Sequence, residues 1–89
     1  MLTQEEIEDK VNLILNHDWF YMYSDDHRVW ERGEANSKRL SALCNEDIAF
    51  KEIHRMYSSE VGAAITGKRK ANYPTREQLM ITYEYYMEE

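Results

Sequence analysis

The sequence predicts a small all-α protein: a compact domain of four helices, or of three helices with a docked C-terminal helix. The 89 residues include only three glycines and one proline, so few turns are expected. Hydrophobic residues make up 43% of the chain, which is ordinary for a folded protein. Several stretches also repeat apolar residues at the three- and four-residue spacing of a helix face. We therefore treat residues 1–89 as a single helical domain.

The first helix is predicted to begin at a capping box. Thr3 can accept a hydrogen bond from the backbone N–H of Glu6, and the Glu6 carboxylate can accept one from the N–H of Thr3. The helix is expected to run to about His17, where the negative helix end would favour the charged imidazolium. Its apolar face consists of Ile7, Val11, Ile14 and Leu15.

Five consecutive bulky residues, Trp19 to Tyr23, follow this helix and show no helical period. They fit either a short strand or one helical turn wedged between layers. Because both flanks resemble helices, we predict the buried helical turn. The two tryptophans, Trp19 and Trp30, are predicted to lie at the centre of the core.

The second helix is predicted over residues 25–44, with Ser24 or Asp25 as its N-cap. Gly33 lies on its apolar face and would be tolerated if another helix approached closely there. The third helix is expected to begin at an Asn45 cap and to end before Gly67. A second capping box, Thr75 with Gln78, opens a last helix whose inward face consists of Leu79, Met80, Tyr83, Tyr86 and Met87.

Charge and composition narrow the classes of function. The net charge of −6 disfavours direct nucleic-acid binding and favours either a protein partner with a basic surface or simply solubility. The single cysteine, Cys44, cannot form an internal disulfide, and no apolar run is long enough to cross a membrane. We therefore expect a cytoplasmic protein with no membrane attachment.

One basic segment interrupts the acidic chain. Residues 67–76 contain four cationic side chains and no acid, and a predicted helix begins at Thr75. Free N–H groups at a helix start attract phosphate or carboxylate. The segment therefore predicts, as an alternative function, a nucleotide- or phosphate-binding module using Lys68, Arg69, Lys70, Tyr73 and Arg76.

Two pairs of glutamates at i,i+3 spacing suggest a second alternative. If two antiparallel helices brought the pairs together, their carboxylates could hold Mg²⁺. The pattern resembles that of the all-α nucleotide pyrophosphatases of the MazG type, in which ExxE is followed by ExxD on a later helix. The resemblance implies Mg²⁺-dependent hydrolysis, with Glu34 in place of the last Asp. A solvated acidic face is the simpler interpretation. The metal set would be Glu5, Glu8, Glu31 and Glu34.

The sequence holds more aromatic residues than one small core is expected to bury. Tyrosine and tryptophan concentrate binding energy at protein interfaces. We therefore predict a non-enzymatic protein–protein interaction module, acting as an inhibitor, adaptor or regulator, that also forms a homodimer or higher oligomer. Its size and composition resemble those of small accessory proteins of bacteriophages acting on host machinery. The predicted interface residues are Trp19, Tyr21, Tyr23, Tyr83, Tyr85 and Tyr86.

Overall fold

A computed structural model describes residues 3–87 and contains four helices and no strand over that range. The all-α prediction is therefore confirmed. None of these helices combines the length and apolar character that crossing a bilayer requires. The elements, in chain order, are α1 (Gln4–Leu15), a 3₁₀ turn (Tyr21–Tyr23), α2 (His27–Glu46), α3 (Ile48–Thr66) and α4 (Arg76–Met87).

Both predicted capping boxes are present. The hydroxyl of Thr3 accepts a hydrogen bond from the N–H of Glu6 at 3.1 Å, and the reciprocal bond from the Thr3 N–H measures 3.4 Å. At the start of α4, the N–H of Thr75 donates to the Gln78 amide oxygen at 2.9 Å, and the Thr75 hydroxyl accepts from the Gln78 N–H at 3.1 Å. Local sequence therefore determines where these two helices begin.

The junction between α2 and α3 lies two residues later than predicted. Asn45 is not the cap of α3, because α2 continues through Glu46. Asp47 is the single residue between the two helices, with an extended backbone at φ −136° and ψ 107°. Its carboxylate accepts hydrogen bonds from the N–H groups of Ala49 at 3.0 Å and Phe50 at 3.2 Å. One aspartate therefore ends α2 and caps α3.

Helix α3 is the centre of the packing, because it contacts α1, α2 and α4, and α1 in turn packs on α4. Tyr83 of α4 is fully buried, so its assignment to an exposed interface is wrong. The helix-face pattern, which placed Tyr83 inward, was correct. The core consists of Ile7, Val11, Ile14, Leu40, Ala49, Phe50, Ile53, Leu79 and Tyr83.

The two tryptophans differ in environment. Trp19 is half-buried, and its indole N–H donates to the carbonyl of Ile14 at 2.9 Å. Trp30 is 37% exposed, so the prediction that both indoles centre the core is wrong for Trp30. The aromatic run does form one helical turn, as predicted, but this 3₁₀ turn is largely solvent-exposed.

Candidate interaction surface

An exposed aromatic surface lies at residues 20–30, which we call the aromatic corner. It comprises the 3₁₀ turn and the start of α2. Four large apolar side chains there remain open to solvent, whereas burial normally stabilises such groups. Their exposed fractions are 41% for Phe20, 58% for Met22, 64% for Tyr23 and 37% for Trp30.

Tyr21 anchors the aromatic corner to α2. Gly33 is buried, and a Cβ atom at that position would clash with the Cβ and Cγ atoms of Tyr21. The segment that approaches Gly33 closely is therefore the 3₁₀ turn and not another helix. The ring of Tyr21 also meets that of Trp30 edge-on, with centroids 6.0 Å apart. The exposed side chains thus lie beside Tyr21, whose position is fixed by its packing on Gly33.

Backbone hydrogen bonds fix the shape of the turn. The N–H of Tyr23 donates to the carbonyl of Phe20 at 3.0 Å, and the N–H of Ser24 donates to the carbonyl of Tyr21 at 3.1 Å. These two bonds hold Phe20, Met22 and Tyr23 in one short turn.

A stack of aromatic rings holds the chain just before the corner. Trp19 lies parallel to Tyr57 of α3, with centroids 5.3 Å apart and planes 25° apart. Tyr57 continues the stack to Tyr73, at 5.1 Å. His17 and His54 contact the same indole at 4.9 and 5.1 Å. Offset and edge-on aromatic pairs contribute stability beyond the area they bury.

Acidic residues flank the aromatic corner in the sequence. Asp26, and not Ser24 or Asp25 as predicted, is the N-cap of α2, since its carboxylate accepts from the N–H of Arg28 at 2.9 Å. The guanidinium of Arg28 also lies 3.7 Å from this carboxylate. Over residues 18–34 five acids outnumber two arginines, so the local charge is negative; the acids are Asp18, Asp25, Asp26, Glu31 and Glu34.

His17 does not behave as its place near a helix end predicted. Burial lowers its pKa below the ordinary value of 6.5, and the neighbouring His54 lowers it further, against the opposing effect of Asp18. Its Nδ1 is buried and has no hydrogen-bond partner among the described residues. A proton there would lack an acceptor, so the neutral imidazole is favoured. Desolvation is therefore the largest influence on this imidazole and exceeds the opposing effect of Asp18.

The predicted anion-binding loop is tied to α3. The guanidinium of Arg69 makes two hydrogen bonds to the Glu60 carboxylate, at 2.7 and 2.8 Å, and the N–H of Asn72 donates to the same carboxylate at 2.8 Å. These bonds lower the pKa of Glu60 to about 2. The Glu60 carboxylate therefore already neutralises the Arg69 charge that an anion would engage.

The other residues of this loop are arranged differently. Lys68, Lys70 and Arg76 are exposed, while one face of Tyr73 is occupied by Tyr57. Anion binding at the loop therefore stays a prediction, and the ion pair with Glu60 weakens the contribution of Arg69 to it.

The predicted magnesium site is not formed. Across residues 3–87, no three carboxylate, imidazole or thiolate side chains lie close enough to share a metal ion. The four glutamates proposed as ligands, Glu5, Glu8, Glu31 and Glu34, are therefore not brought together.

The register of α1 against α2 explains this correction. Lys10 shares a surface pocket with Glu46, and Asn16 shares another with Asn36, so the two helices run antiparallel. The first glutamate pair precedes Lys10 and lies toward the Glu46 end. The second pair precedes Asn36 and lies at the opposite end. The helix axis from residue 31 to residue 46 spans about 22 Å, far more than one metal ion can bridge.

A groove of about 500 Å³ lies between α3 and α4 beside the loop. Two charged residues line it, Arg55 and Glu60, and both are engaged in intramolecular ion pairs, with Glu52 and Arg69 respectively. The groove therefore presents no unneutralised charge from these two residues to a ligand.

The structure separates the predicted interface residues into three groups. Tyr23 and Tyr85 are exposed at 64% and 60%, Trp19, Tyr21 and Tyr86 are half-buried, and Tyr83 is buried. Tyr85 lies on α4, outside the aromatic corner. Sequence reasoning missed Phe20, Met22 and Trp30 as surface residues. The absence of a helical period in residues 19–23 was the available signal, because a segment without a period cannot present all its bulky side chains to one core.

Comparison with protein-family models, with characterised proteins and with solved structures finds no match.

Proposed function

We propose that this protein is a small acidic interaction module that docks its aromatic corner onto a basic surface of another protein. The observation that carries the proposal is the exposure of Phe20, Met22, Tyr23 and Trp30 on one anchored segment. Such a module would act as an inhibitor, adaptor or regulator.

The exposed side chains are of the kind that dominates binding energy. Tyrosine, tryptophan, phenylalanine and methionine are enriched at protein interfaces, and truncating an aromatic anchor commonly weakens binding strongly. Because Tyr21 and Gly33 already fix the turn, little conformational freedom would be lost on binding. The cost of ordering the binding segment is therefore small.

Charge supports a foreign partner rather than a second copy. A symmetric self-contact would place the acids around one aromatic corner against the same acids in the partner copy, which is repulsive. A basic surface would instead be attracted and oriented by them. The predicted homodimer or higher oligomer stays a prediction, and this surface does not favour it.

The proposed setting is the cytoplasm, since Cys44 is a free cysteine that has no second cysteine to pair with. A small, acidic and aromatic-rich module of this kind suits the role of an accessory protein that modulates larger machinery, as small bacteriophage proteins do.

Site-specific photo-crosslinking tests the proposal. Tyr23 and Tyr85 provide a matched pair, because their exposed fractions are 64% and 60% but only Tyr23 lies in the aromatic corner. Each would be replaced in turn by benzoylphenylalanine, and the adducts identified by mass spectrometry.

We expect position 23 to capture a defined protein with a basic surface, in a yield that falls as salt is raised. Position 85 should not capture that protein. Equal capture at both positions, no adduct at position 23, or an adduct only with a second copy of the chain would overturn the proposal.

A further inference from the structure

A pocket of about 330 Å³ opens within the aromatic corner, at the start of α2. Its walls are Ser24, Asp25, His27 and Trp30. A tryptophan and an aspartate thus line one small concave site. We propose that this pocket receives the guanidinium of an arginine side chain from the partner. This inference rests on the proposed function and specifies the chemistry of the partner.

The charge available in the pocket comes from Asp25. The neighbouring Asp26 carboxylate is engaged by the backbone and guanidinium of Arg28, at 2.9 and 3.7 Å. Glu31 is engaged by the imidazole Nε2 of His27 at 2.7 Å. Within residues 3–87, the carboxylate of Asp25 forms no hydrogen bond or ion pair. Asp25 is therefore the acid at this site whose carboxylate is available to bind a ligand.

The indole of Trp30 is suited to binding a cation. Trp30 is 37% exposed, and the ring of Tyr21 contacts it in a T-shaped geometry at an interplanar angle of 73°. Indole is the most favourable of the aromatic rings for a cation held over its face. Asp25 and Trp30 together offer a carboxylate and a π surface.

Arginine fits this combination better than lysine. A planar guanidinium can stack on an indole while its edge donates hydrogen bonds to a carboxylate. An ammonium is a compact, strongly hydrated charge that cannot do both with one flat group. Anionic groups would be repelled by Asp25.

Nuclear magnetic resonance can test the pocket in the full-length chain. The probe is N-acetyl-arginine amide, with N-acetyl-citrulline amide as its neutral counterpart and N-acetyl-lysine amide as the alternative cation. The readout is the indole N–H resonance of Trp30 together with the backbone amide of Asp25. Asp25→Asn removes the charge at an exposed position, and Asp9→Asn makes the same change at an exposed position on α1.

We expect arginine amide to produce saturable shifts at Trp30 and Asp25, with weaker binding by lysine amide and weaker still by citrulline amide. Asp25→Asn should weaken arginine binding about two- to fivefold, as expected for losing one exposed charge contact, while Asp9→Asn leaves it unchanged. The inference is overturned if no saturable shift occurs, if citrulline binds as well as arginine, or if the two variants behave alike.

The same variants separate this inference from the proposed function. If benzoylphenylalanine at position 23 still captures a basic partner in an Asp25→Asn background with undiminished yield, the aromatic corner binds a partner but the pocket does not hold its arginine. If position 23 captures nothing while the arginine titration succeeds, the pocket exists and the proposed function fails.

Discussion

The phenol of Tyr83 donates a hydrogen bond to the Asp47 carboxylate at 2.5 Å, joining α4 to the residue between α2 and α3. The ring of Tyr83 is fully buried, and burial together with this bond raises the pKa of its hydroxyl. The other oxygen of Asp47 caps α3. Three helices therefore meet at a single pair of side chains.

Replacing Tyr83 by phenylalanine tests this pair. The change keeps the ring but leaves one oxygen of the half-buried Asp47 carboxylate without its partner. We expect the free energy of unfolding to fall by about 1–3 kcal/mol, measured by urea denaturation. Tyr85→Phe is the matched control on the same helix, because Tyr85 is 60% exposed, and it should change stability little. Equal effects of the two changes would show that the Asp47 bond contributes nothing.

The contact between Gly33 and Tyr21 is tested by two glycine substitutions that are expected to change the free energy of unfolding in opposite directions. Alanine at position 33 would gain about 1 kcal/mol of helix propensity but would displace the Tyr21 ring, at a cost of about 1–3 kcal/mol. Gly62→Ala in α3 meets no atom within 4 Å, so it should gain the propensity alone. Thermal or urea denaturation should show a loss for Gly33→Ala and a gain for Gly62→Ala. A gain in both would mean that the turn does not pack on Gly33.

The loop attached by Glu60 should open when that carboxylate is neutralised. Glu60→Gln replaces the ion pair with Arg69 and weakens the hydrogen bond from Asn72. We expect faster tryptic cleavage after Arg69 and Lys70, with Glu84→Gln on α4 as the control. Protonation should act in the same way: the folded-state pKa of about 2 lies below the ordinary 4.5, so the stabilisation is present above pH 4.5 and lost as pH falls toward 2. Unchanged cleavage in Glu60→Gln would contradict the conclusion that Glu60 holds the loop against α3.

Mild acid should destabilise the fold through His17 and His54. Burial lowers both pKa values below 6.5, so the unfolded chain binds protons more readily than the folded one. Stability is therefore highest above pH 6.5 and falls as pH drops through the folded-state values. Urea midpoints measured between neutral and mildly acidic pH should show this slope, and a His17→Gln/His54→Gln double variant should lose most of it. A slope that persists in the double variant would assign the effect to other groups.

The local sequence correctly predicted where a helix begins when that position depends on hydrogen bonds between residues close together in the chain. Both capping boxes lie within four residues of chain, so the sequence alone specified them. The α2–α3 junction was misplaced because residues 45–47 are all polar and capable of capping or starting a helix. Asp47 also accepts the hydrogen bond from Tyr83 of α4, a long-range contact that the local sequence does not show.

The candidate surface was predicted only in part, because it depends on contacts between distant residues. Composition showed a surplus of aromatic residues but could not say which ones the core would bury. Trp19 is held by Tyr57, and Arg69 by Glu60, across separations that no helical period encodes. The aromatic surplus placed both Tyr23 and Tyr83 at an interface, and only the structure shows that Tyr23 and Trp30 are exposed while Tyr83 is buried.

The most direct test of the central claim is the affinity of the captured partner for two matched variants, measured by calorimetry. Tyr23→Ala removes an exposed ring from the aromatic corner, and Tyr85→Ala removes one of similar exposure from α4. We predict that Tyr23→Ala raises the Kd about tenfold or more while Tyr85→Ala leaves it nearly unchanged. Equal affinities for the two variants, or a larger loss with Tyr85→Ala, would contradict the claim that the protein binds through residues 20–30.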